Sequence, residues 1–98
     1  MRKMTVAELA ALLEEQSATA KGGVLNGEFK YFCQLLRDHY HDMPVEVPGK
    51  SSFKEVADWF KKIGNTQLPN AEYRRVFDRQ VELLAKAEGT LHLPVAAA

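Results

Sequence analysis

Phe29-Lys-Tyr-Phe-Cys-Gln-Leu-Leu-Arg-Asp-His-Tyr-His-Asp-Met43 is the most apolar helical stretch of the chain, and its spacing decides the fold. Phe29, Phe32, Cys33, Leu36, Tyr40 and Met43 recur with the period of one helix face, and Tyr31, Leu35 and His39 make a second face beside it. A helix that is apolar on two sides must be covered on two sides. It is therefore either central to the fold or part of an interface.

Toward the N-terminus, Thr5-Val-Ala-Glu8 is a capping box, and Val6, Leu9, Ala10 and Leu13 continue at helical spacing. These predict a first helix over about residues 5–20, widened by Leu12 and stopped by Gly22-Gly23. Toward the C-terminus, Pro44 should end the central helix near Met43. The stretch Met43-Pro-Val-Glu-Val-Pro-Gly-Lys50 then reads as an extended connector, because its two prolines lack the amide that a helix needs. Ser52-Phe-Lys-Glu55 is a second capping box. Phe53, Val56, Ala57, Phe60 and Ile63 predict a third helix over 53–63, closed by Gly64.

Asn65-Thr-Gln-Leu-Pro-Asn70 reads as a turn ending in an N-cap. Beyond it Tyr73, Phe77, Val81 and Leu84, with Val76, Leu83 and Ala87 alongside, predict a fourth helix that Gly89 ends. No alternating pattern suggests a strand. The expected fold is all-α: a four-helix orthogonal or irregular bundle with an extended Pro-containing connector. One helical domain should span residues 1–89, with a flexible C-terminal tail over 90–98.

Composition narrows the function classes. Thirteen basic residues balance thirteen acidic ones, so no net field draws the whole molecule to nucleic acid or an anionic membrane. No apolar run approaches the roughly 20 residues of a membrane span, and Thr5 and Glu8 interrupt any leader-like start, so neither a span nor a signal peptide is expected. The lone cysteine, Cys33, cannot close an intramolecular disulfide, which suits a reducing compartment and a cytoplasmic location.

Candidate chemistry is sparse. His39 and His41, flanked by Asp38 and Asp42, suggest metal ligands, but residues two apart on a helix point away from each other, so no metal site and no cofactor is expected. Cys33 lies on the apolar stripe, where burial disfavours the thiolate that a nucleophile requires. The chain has no Gly-rich phosphate loop, nucleophile elbow or zinc motif, so catalysis is not expected.

Two binding functions remain. Nine aromatic residues exceed what so small a chain readily hides, and Trp and Tyr are common interface anchors. The expected function is a small regulatory protein that binds another protein and inhibits or modulates it, as an inhibitor, antiactivator or adaptor. Its partner-binding residues would be Tyr31, Leu35, Trp59, Leu91 and Leu93, with a homodimer through the helix 29–43 as a related expectation. The alternative is a helix-turn-helix-like DNA-binding regulator built on residues 53–80, with Arg74, Arg75 and Arg79 facing the duplex. Against it, Glu72 and Asp78 sit on the same helix.

Overall fold

Hydrogen-bonding side chains set where three of the four helices begin. The computed structural model describes residues 4–17, 27–47 and 49–93. In chain order they form α1 (Val6–Ser17), α2 (Gly27–His39), β1 (Lys50–Ser52), α3 (Phe53–Ile63), α4 (Ala71–Lys86) and β2 (Thr90–His92), a mainly helical fold with one small sheet. Before α1, the Thr5 hydroxyl accepts from the Glu8 amide at 3.4 Å, and the Glu8 carboxylate accepts from the Thr5 amide at 3.2 Å. The same reciprocal pair opens α3, between Ser52 and Glu55 at 3.0 and 3.1 Å. Asn70 Oδ1 accepts from the Tyr73 amide at 2.9 Å to open α4. Each bond pairs an amide that the helix itself leaves without an acceptor.

The central helix ends at His39, four residues before the expected Met43. From Tyr40 the chain turns instead: the Met43 amide donates to the Tyr40 carbonyl at 2.9 Å, three residues back, where a helix would use His39. The carbonyls of His41 and Met43 accept from the amides of Ala7 and Val6, which the first turn of α1 cannot satisfy, and the Val45 amide donates back to Met4. The proposed stop for the first helix, Gly22-Gly23, lies outside the described residues.

The C-terminal expectation is corrected over residues 90–93. Thr90–His92 is a strand rather than a tail, paired antiparallel with Lys50–Ser52 in the register Lys50 to His92, Ser51 to Leu91 and Ser52 to Thr90. Leu91 and Ser51 point inward and are buried, whereas Lys50, Thr90 and His92 face out. Three-residue strands are too short to show a period, and pairing across some forty residues has no local signal. Gly89 does not stop the fourth helix. That helix finishes at Lys86 with Ala87 as its cap, and Gly89 makes the turn into β2 at φ 131°. A Cβ there would lie 3.0 Å from the Phe53 ring, so glycine answers both the backbone conformation and the close approach.

The core is organised by three rings. Phe32 of α2, Phe60 of α3 and Phe77 of α4 meet edge to face, with centroids 5.7, 5.6 and 6.1 Å apart. Phe29, Phe32, Cys33, Leu35 and Leu36 of α2 are buried within the chain, against α1 and α4, so the helix is central, while Tyr31 of its second face stays exposed. Arg37 fastens it to α1 through Glu14 at 2.7 Å. Tyr40 stacks on Phe77, and its hydroxyl donates to the Gly64 carbonyl at 2.9 Å, tying the end of α2 to the turn between α3 and α4.

Two stability changes follow. Phe32→Ala should lower the unfolding free energy by about 3–5 kcal/mol, read from urea midpoints, because it empties a site shared by three helices. Tyr40→Phe should cost about 1 kcal/mol, since it removes a single partly buried hydrogen bond while keeping the ring stack.

Candidate partner-binding surface

Where α2 and α4 cross, one aromatic group remains at the surface. Tyr31 is 40% exposed, the only large apolar side chain so classed among the described residues. Its ring stands edge-on to Tyr73 at 6.0 Å, and the His39 ring lies 5.8 Å from Tyr73 on the other side. Helical spacing explains the group. Tyr31, Leu35 and His39 share the second face of α2; Leu35 sinks into the core, while the two polar-tipped rings stay at the rim. Tyr73 stands at the first turn of α4, placed there by the Asn70 cap. Partial burial pushes the Tyr31 hydroxyl above its usual range, and the neighbouring Tyr73 and Glu72 push it the same way. Gln34 and Asp38, hydrogen bonded at 2.9 Å, lie exposed on the same helix.

The other proposed anchors lie inside. Trp59 is 7% exposed and packs on Phe60, with centroids 5.4 Å apart, while Leu35, Leu91 and Leu93 are all buried in the core. The expected surplus of aromatic surface is thus absorbed within the chain: Tyr31 stays exposed, Tyr73 is half-buried, and the remaining aromatic side chains are buried. Sequence reasoning placed Tyr73 on the core stripe of the fourth helix and His39 on the second face of α2, and so missed that the Tyr73 ring meets both Tyr31 and His39. The available signal was that all three rings carry a polar atom that gains from reaching water.

The three arginines of the DNA-binding alternative are placed differently. Arg79 Nη1 reaches both oxygens of Glu28 at 3.0 and 3.1 Å, and Gln80 Nε2 donates to the same carboxylate at 2.9 Å. Arg74 donates to the Leu68 carbonyl at 3.2 Å. Arg75 alone of the three makes no hydrogen bond or ion pair among the described residues. A phosphate would have to compete with Glu28 for Arg79.

A shallow groove of about 290 Å³ lies between the end of α3 and the middle of α4. Phe77 and Val81 form its floor, and two polar pairs cross it: Lys61 to Glu82 at 3.3 Å and Asn65 to Asp78 at 3.0 Å. These groups already satisfy one another. Among the described residues, no three His, Cys, Asp or Glu side chains converge as metal ligands, and no helix is long and apolar enough to cross a membrane. His41 is exposed, 3.6 Å from Asp42, and is separate from the Tyr73 ring that His39 meets.

Cys33 is fully buried, and its thiol is pushed up to about 12, first by burial and then by the Glu14 carboxylate, with Arg37 opposing. Comparison with protein-family models, curated proteins and solved structures finds no match to this chain.

At pH 8 the folded thiol should be ionised in on the order of one molecule in 10⁴. A thiol reagent should therefore modify Cys33 only through unfolding, with a rate that rises with urea in step with the unfolded population. The raised value also sets a sign. The neutral thiol contributes stability below the unfolded value of about 8.5, and this is lost as pH rises toward the folded value.

Proposed function

We propose that this chain is a small non-catalytic regulatory protein that binds another protein and inhibits or modulates it, through the surface formed by Tyr31, Tyr73 and His39. One observation carries the reading: an aromatic side chain left exposed and held edge-on by a neighbour from a second helix, where the other large apolar side chains among the described residues are buried or half-buried. Tyrosines held in this way offer contact area and a hydrogen-bonding tip with little rotamer entropy left to lose, which suits the centre of an interface. Gln34, Asp38, Glu72 and Arg75, all exposed, supply polar groups of both signs on the same two helices.

The cysteine and two of the tyrosines favour binding over chemistry. Cys33, Tyr31 and Tyr40 all move upward, with burial first among the causes in each case. This direction quiets a nucleophile rather than activating it. The single cysteine suits a cytoplasmic location.

The test is capture of the tagged chain from native extract, with nuclease, beside Tyr31→Ala and Tyr73→Ala variants checked for folding by circular dichroism. A stoichiometric protein retained by the wild type should be lost or weakened by about tenfold or more in the folded Tyr31→Ala variant. Equal retention by both would overturn this surface. A yield that depends on duplex DNA and falls with Arg75→Ala and rising salt would replace the reading with the DNA-binding one.

A further inference from the structure

The open face of Tyr31 is bordered by electron-rich groups, which limits what a partner can place on it. The ring is 40% exposed and stands at 79° to that of Tyr73, with centroids 6.0 Å apart. In an edge-to-face pair one ring meets the other with its rim, so at least one face of Tyr31 is left uncovered. The face of a phenol ring carries the negative part of its quadrupole. The Tyr31 and Tyr73 hydroxyls are hydrogen bonded to each other. That bond uses a proton and leaves most of their lone pairs, so the pair accepts more readily than it donates.

Charge around the rings has the same sign. Glu72, next to Tyr73 in the first turn of α4, is exposed and enters no ion pair among the described residues. Its carboxylate is close enough to the Tyr31 hydroxyl to disfavour the phenolate. On α2, Asp38 lies two turns from Tyr31 on the same face, held by the uncharged Gln34 amide at 2.9 Å. The cations nearby are committed or averted. Arg74 donates to the Leu68 carbonyl at 3.2 Å, and Arg75, two positions beyond Tyr73, is turned away from that ring by the helix. Lys30 precedes Tyr31 by one position, about 100° round α2.

We propose that this surface recognises a basic segment of its partner, anchored by an arginine whose guanidinium lies flat on the open face of Tyr31 and donates to the Glu72 carboxylate. This rests on the reading of Tyr31 as the partner-binding surface and names what that partner must bring. Arginine suits the place better than lysine, because its planar group stacks on a ring, donates to a carboxylate through a fixed fork and is less tightly hydrated. An acidic or phosphorylated segment would meet both the ring face and Glu72 with like sign.

The experiment follows the amide resonances of the ¹⁵N-labelled chain on titration with a short acetylated, amidated glycine-serine peptide carrying arginine. The reference is the same peptide with citrulline, the neutral isostere. The arginine peptide should shift the Tyr31 and Tyr73 amides saturably by about 10 mM, and citrulline should weaken binding by about fivefold or more. Glu72→Gln and Tyr31→Leu should each weaken the arginine peptide by about threefold or more. No saturable shift, equal binding of the two peptides or undiminished affinity in Glu72→Gln overturns the proposal.

Glu72→Gln, added to the capture from native extract, separates this proposal from the reading it rests on. Loss of the captured protein in both Tyr31→Ala and Glu72→Gln supports both. Loss in Tyr31→Ala with full retention in Glu72→Gln overturns the basic anchor and leaves the surface standing. Retention in Tyr31→Ala overturns the surface and the anchor together.

Discussion

The contact between Phe32, Phe60 and Phe77 is the constraint from which the architecture follows. Each ring comes from a different helix, and edge-to-face pairs at these separations hold both distance and direction. Once α2, α3 and α4 are fixed about these rings, the remaining elements have few choices. α1 must cover the face of α2 that α4 leaves open. The turn after α3 must bring the Gly64 carbonyl under Tyr40. Ring stacking on Phe77 and the Tyr40 hydrogen bond act on the same turn, so losing either loosens the crossing of α3 and α4.

Polar groups then set limits that the apolar core does not. The amides heading α1 find acceptors in the chain that follows α2, which ties the start of one helix to the end of another. The same logic recurs at the sheet, where Gln16 supplies His92 with the bonds that a neighbouring strand would otherwise make. Unpaired backbone groups are costly when buried and adhesive when exposed, and this fold pairs them, with backbone carbonyls at the head of α1 and with a side chain at the sheet.

This explains how much was legible in the sequence. Helix starts were readable, because a capping box is a local pattern with a local cause, and Thr5, Ser52 and Asn70 each make the bond their position implied. The helical periods located most core residues of the four helices, though not Gln80, whose polar side chain is fully buried in α4. What failed was long-range. Met43 lies on the stripe of α2 but falls in the turn after it, where its carbonyl accepts from Val6 of α1, and Leu91 and Leu93 read as tail because nothing near them announces Gly49 or Ser51. Trp59 failed for a related reason: its offset from the main stripe of α3 suggested exposure, whereas a helix covered on more than one side buries such an offset residue.

The burial of Trp59, Leu35, Leu91 and Leu93 moves the case for partner binding from the amount of apolar surface to its placement. A chain with a large exposed patch would be adhesive without being selective. Here the exposed aromatic surface is reduced to the neighbourhood of Tyr31, and that ring is positioned by Tyr73, whose own position depends on the Asn70 cap. Selectivity would then come from two helices holding a small group in one geometry, so that a partner meets a shape already set and loses little entropy in recognising it. The core that absorbs the other rings is thus also what singles out the one that remains at the surface.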